Sequence, residues 1–116
     1  MLITICKSKI GHACITEAEL YYEGSITIDE KILKAVGIVP GEKVEVLNLS
    51  NGSRIETYTI AGKAGSGQIC LNGPAARSGV VGDKLIILSY ALAQPKEAKK
   101  IKTKTVYLDD RNQIKS

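Results

Sequence analysis

Neither tryptophan nor phenylalanine occurs in this chain of 116 residues, so any core must be aliphatic, and the five tyrosines are free for partly polar duties. Cysteine is sparse and odd in number. Cys6, Cys14 and Cys70 show no Cys-x-x-Cys spacing, which supports neither a disulfide framework nor a structural zinc site; free thiols buried in a reducing cytosol are expected. The one histidine, His12, has no second histidine with which to form a metal site or a catalytic pair. No apolar run approaches the length of a membrane span, and the alternating opening residues, broken by Lys7 and Lys9, are unlike the apolar core of a signal peptide. The expectation is a soluble cytoplasmic protein without metal or membrane partner. The net charge of +4 would suit an anionic ligand but is too small to mark nucleic acid by itself.

What is present is enough for one domain. At 44% apolar content the chain can bury a core unaided, as a single unit over residues 1–116. Leu2, Ile3 and Ile5 open a strand whose period of two carries Lys7 and Lys9 in register with Ile3 and Ile5. Ile15 to Tyr22 reads as short and irregular, and Ser25 to Ile28 as a strand. Asp29 is an N-cap, Ile32, Leu33 and Val36 form an apolar face and Gly37 a left-handed C-cap, so a helix of about two turns follows. Val44, Val46 and Leu49 lie in a strand ending at Asn51-Gly52, a hairpin signal. On the returning strand Arg54, Glu56 and Tyr58 share one face and can reach one pocket, while Ile55, Thr57 and Thr59 share the other. Gly62 to Gly67 lacks the ending of a phosphate-binding loop and reads as a flexible turn. Ile69 to Leu71 is a strand leading to Asn72-Gly73-Pro74-Ala75, where proline pre-sets a short helix whose free N–H groups can cradle a carboxylate. Lys84 to Leu92 is a central strand. After Pro95 a lysine-rich run reads as a solvated edge strand and a frayed tail. Short strands with one or two short helices make a mainly β fold, a small barrel.

The stretch that carries chemistry is Tyr22-Glu23-Gly24-Ser25-Ile26-Thr27-Ile28-Asp29. A serine hydroxyl can attack the preceding carbonyl and turn the amide into an ester when backbone geometry assists it. Gly24 allows such geometry, because it has no Cβ. Elimination from that ester would cut the chain after Gly24 and leave dehydroalanine, which loses ammonia to become a pyruvoyl group, a ketone able to form a Schiff base with an amine. Gly-Ser before an alternating Ile26, Ile28 pattern is also an ordinary turn entering a strand, and the dipeptide alone proves nothing.

The longer pattern, Tyr22-x-Gly24-Ser25-Ile26-Thr27-Ile28-Asp29 with Lys9, Asn51-Gly52-x-Arg54, Thr57-Tyr58 and Asn72-Gly73-x-Ala75-Ala76, resembles the pyruvoyl-dependent aspartate decarboxylases. The resemblance implies a six-stranded double-psi β-barrel and a homotetramer with active sites between subunits. It also implies self-cleavage into chains 1–24 and 25–116, a pyruvoyl cofactor made from Ser25, and decarboxylation of L-aspartate to β-alanine for pantothenate synthesis. Carried over residue by residue, Ser25 and Tyr58 are catalytic, Tyr58 returning a proton. Gly24, Thr57 and Asn72 support cleavage, Asn72 by polarising a carbonyl. Lys9, Arg54, Thr57, Gly73, Pro74 and Ala75 bind substrate, Arg54 through its fork on a carboxylate. Cleavage is either spontaneous or assisted by a maturation helper protein. Two departures stand out: Gly11 where the family usually has histidine, so His12 receives no role, and Pro74 where it usually has alanine, which removes one backbone donor.

A second resemblance is local. Ser25 to Val44 is similar to the strand, helix and turn of transition-regulator DNA-binding domains with a swapped-hairpin barrel, although the clustered basic face that duplex DNA requires is missing. A catalytically silent barrel is the third reading.

Overall fold

The computed structural model describes residues 1–115. Eight strands form one sheet: β1 (Ile3–Cys14), β2 (Glu17–Glu19), β3 (Ser25–Asp29), β4 (Lys43–Asn48), β5 (Arg54–Gly62), β6 (Ile69–Asn72), β7 (Lys84–Ala93) and β8 (Lys104–Tyr107), in the order β2-β6-β3-β5-β4-β7-β1-β8. Helix α1 (Glu30–Val36) follows β3, and α2 (Pro95–Ala98) follows β7. A 3₁₀ turn spans Gly73–Ser78. The central position of β7 agrees with its apolar run. It lies between β4 and β1, both antiparallel to it.

The core is aliphatic throughout. Ile10, Ile26, Ile28, Ile69, Leu71 and Ile87 are inaccessible, with Ile32, Leu33 and Val36 of α1 packed into the same cluster. All five tyrosines lie at the surface. The helix ends as its residues dictate: the Asp29 carboxylate accepts from Lys31 N at 2.8 Å, and Gly37 takes φ 73°.

Several expectations need correction. Glu17–Glu19 is a strand, pairing in parallel with β6, because hydrogen bonding to β6 supplies what the exposed side chains do not. The hairpin strand β4 stops at Asn48, leaving Leu49 outside and exposed. Gly62 to Gly67 is pinned rather than flexible, since Gly65 N and Gly67 N both donate to Asp29 at 2.9 Å. Through residue 115 the tail is not frayed. Leu108 is buried, and the side chain of Asn112 bonds Cys14 N, Cys14 O and Gly67 O. Of the three free thiols only Cys70 is buried; Cys6 and Cys14 are half-exposed.

Candidate functional site

The site is built on the antiparallel pairing of β3 with β6, in which Ser25 lies opposite Asn72 and Thr27 opposite Cys70. Alternation puts Ile26, Ile28, Ile69 and Leu71 into the core. Ser25, Thr27, Cys70 and Asn72 therefore stand together on the other face, as four polar side chains. Ser25 is inaccessible and Asn72 nearly so. Asn72 Nδ2 donates to Ser25 Oγ and to Thr27 Oγ1, each at 2.9 Å. Ser25 Oγ in turn donates to Glu23 O at 3.3 Å, which turns the hydroxyl back over the bond that precedes it. Asn72 thus reaches the hydroxyl; no bond from it to a carbonyl is present.

The chain entering Ser25 is cradled by Gly73. At φ 64°, a conformation glycine takes without strain, Gly73 lies so close that a Cβ there would overlap Tyr22 O and stand 2.9 Å from Gly24 N. A side chain at position 73 would therefore displace the segment that carries the Gly24-Ser25 bond.

Beside that bond opens a cavity of about 440 Å³, lined by Gly24, Ile55, Glu56, Thr57, Tyr58, Pro74, Ala75 and Ser78. Thr57 and Tyr58 both border it, although adjacent strand residues point to opposite faces. The pairing of β5 with β3 begins only at Thr59, so residues 55–58 have a free edge on that side. A cavity at a strand edge can be lined from both faces.

Arg54 and Lys9 are not in this cavity. Arg54 lines a separate cleft of about 600 Å³ with Thr4, Lys43, Glu45 and Tyr90, and Nη1 donates to Glu45 Oε1 at 2.8 Å. The expectation that Arg54 and Tyr58 reach one pocket therefore fails within one chain. Glu45 draws the guanidinium towards β4, and Glu56 borders both spaces. The Tyr90 hydroxyl donates to the same Glu45 oxygen at 2.7 Å, and this bond, with burial, holds its pKa above the ordinary phenol value. Lys9 sits in β1 between Leu88 and Thr105.

A model of the aspartate decarboxylase family matches residues 1–115. The chain is a member of that family of lyases. It is 56% identical over 114 residues to aspartate 1-decarboxylase of Carboxydothermus hydrogenoformans, covering 98% of this chain and 90% of that one. With the enzyme of the same name from Caldicellulosiruptor saccharolyticus it shares 55% over 114 residues, covering 98% and 89%; with that from Salinibacter ruber, 49% over 114 residues, covering 98% and 78%. Among solved structures, a computationally designed double-psi β-barrel protein superimposes with a TM-score of 0.50 at 15% identity, over 77% of this chain and 99% of that one. That likeness fixes the fold as a double-psi β-barrel, with the short β2 and β8 at the two ends of the strand order. The family match covers nearly the whole chain, whereas the transition-regulator likeness covers only Ser25 to Val44. In that segment Lys34 is paired with Glu30 at 2.7 Å and Lys43 with Glu56 at 3.0 Å.

Reading along the chain found Ser25, Asn72 and the Gly24 loop but missed the contribution of Thr27 and Cys70. The available signal was spacing: each lies two residues from a chosen residue on the same strand, hence on the same face.

Proposed function

We propose that the protein cuts its own chain between Gly24 and Ser25, forms a pyruvoyl group from Ser25, and uses it to decarboxylate L-aspartate to β-alanine, the precursor of pantothenate. The observation that carries this reading is the buried Ser25 hydroxyl, fixed by Asn72 and turned back towards Glu23 O, on a loop that Gly73 holds from behind. In cleavage, a bond forms from Oγ to the Gly24 carbonyl carbon, the C–N bond to Ser25 breaks, and the hydroxyl proton ends on the freed amine. Loss of the Ser25 Cα proton then expels the Gly24 carboxylate from Cβ. Water replaces the remaining nitrogen and ammonia leaves. The products are chains 1–24 and 25–116, with a ketone at residue 25. Cleavage by the chain alone and cleavage with a maturation helper protein lead to the same products.

When present, that ketone supplies the electron sink that decarboxylation of an amino acid requires. Asn72 stands at the Oγ that leaves with Gly24 before the ketone forms. Tyr58, on the cavity wall, holds a proton on its hydroxyl for the carbon that carbon dioxide leaves. Thr57 assists cleavage or binds substrate; Pro74 and Ala75 line the cavity, and Gly73 lies behind the Gly24 loop, the three binding substrate through backbone contacts with no donor at Pro74. Lys9 and Arg54 bind the substrate carboxylate. Since neither lines the Gly24 cavity of its own chain, a second copy supplies them, in a cytoplasmic homotetramer with its sites between subunits. Exposed Leu2, Val80, Val81 and Leu92 offer apolar surface to such an assembly.

The test is Ser25→Ala. The variant should fold as the parent does, stay one chain and release no carbon dioxide from L-aspartate; a folded variant that still releases it would end the proposal.

A further inference from the structure

The amide of Asn72 has two orientations open to it, and only one of them helps Ser25. On one side the Thr27 hydroxyl can donate or accept, and the Ser25 hydroxyl, whose proton reaches Glu23 O only at 3.3 Å, sets the choice weakly. The neighbour on the other side adds to it. Cys70 Sγ lies 3.2 Å from Asn72 Oδ1 and 3.9 Å from Leu71 O. A thiol gives a carbonyl oxygen a weak hydrogen bond but is a poor acceptor for N–H. Asn72 Oδ1 is the nearer of the two oxygens, which leaves the S–H for Asn72.

We infer that Cys70 is a positioning residue for chain cleavage: its S–H holds Asn72 Oδ1 and thereby directs Asn72 Nδ2 at Ser25 Oγ. This rests on the reading of Gly24-Ser25 as a self-cleaved bond. Burial, and then the carboxylates of Glu17 and Glu19, push the Cys70 thiol above its ordinary value, against the pull of the Glu19 N–H. The donor proton therefore stays on at neutral pH. A thiolate would prefer the amide N–H₂ and turn the group round.

Orientation matters because Oγ gains negative charge twice. It does so when its proton leaves for attack on Gly24, and again when it departs from Cβ as part of the Gly24 carboxylate. A preset N–H donor lowers both barriers, whereas an amide oxygen in the same place would raise them. Cys70 touches no reacting atom; it acts through Asn72.

The experiment follows the intact mass of freshly translated chains over time. Cys70→Ala and Cys70→Val, two donor-less side chains of different size, should slow cleavage about tenfold, the scale of one orienting hydrogen bond. Cys70→Ser keeps a donor and should stay within about threefold of the parent. The same substitutions in a Ser25→Ala chain, which cannot cleave, give the cost to folding by thermal unfolding. If Ala and Val cleave as fast as the parent, if Ser is as slow as Ala, or if rates follow the unfolding midpoints rather than the donor, the inference is overturned. If the parent itself stays whole, alone and with cell extract, the cleavage reading falls and this inference with it. Should Ala fail to fold, the Val and Ser pair decides.

Discussion

At the scale of the residue, the geometry separates two jobs that lie within one small volume. Ser25 and Asn72 face each other across a strand pair and are buried, suited to a reaction made once. Tyr58 stands on the cavity wall and is 40% exposed, suited to a reaction made with each substrate. Removing only its hydroxyl should therefore leave cleavage alone and damage turnover. Tyr58→Phe is expected to give the same two chains as the parent while kcat for aspartate falls by about 10²-fold or more, the usual worth of a placed proton donor; steady-state kinetics normalised to cleaved chain measure it. A variant that fails to cleave would move Tyr58 to the first job. The Gly24-Ser25 dipeptide was legible in the sequence because its chemistry lies within adjacent residues. The partner of Ser25 was legible only as a motif residue, since the contact of Asn72 with it depends on strand register across 47 positions.

At the scale of the element, the turn between α1 and β4 is held by Glu42. Burial pushes that carboxyl up, but the Lys7 ammonium at 2.7 Å, the Ser89 hydroxyl and Val39 N together hold its pKa below the ordinary glutamate value. A carboxyl with a lowered folded-state pKa adds stability above its unfolded-state value and loses it as pH falls through the folded-state value. Glu42→Gln should therefore cost about 1–3 kcal/mol at neutral pH, and the gap to the parent should close in acid; denaturant unfolding across that range checks both. A gap independent of pH would assign the loss to packing. Helix α1 was legible because Asp29 and Gly37 mark its ends by local chemistry. Strand β2 was not, because its three residues are exposed and only β6 makes them a strand. The anchored tail was missed for a similar reason. One residue, Asn112 at φ 58°, ties segments 98 positions apart, and no periodicity announces it.

At the scale of the whole molecule, the barrel puts the two halves of the proposed site on different surfaces: Gly24, Thr57 and Tyr58 around one cavity, Arg54 in another. Alternation along β5 made one pocket for Arg54 and Tyr58 a fair expectation, because side-chain faces can be read from spacing, whereas the pull of Glu45 on β4 cannot. If the halves meet between copies, two dead variants should complement each other. Chains with Ser25→Ala and chains with Arg54→Ala, each inactive alone, should regain activity in roughly a quarter of sites when assembled together at random in a symmetric oligomer; mixtures that stay inactive would place both residues in one subunit's site. Whether the chain makes its own reactive group is decided by the intact mass of the purified protein under denaturing conditions. Two chains are expected, 1–24 and 25–116, the larger lighter by one ammonia than a free N-terminal serine would make it. One uncut chain, alone and after incubation with native cell extract, would contradict that expectation.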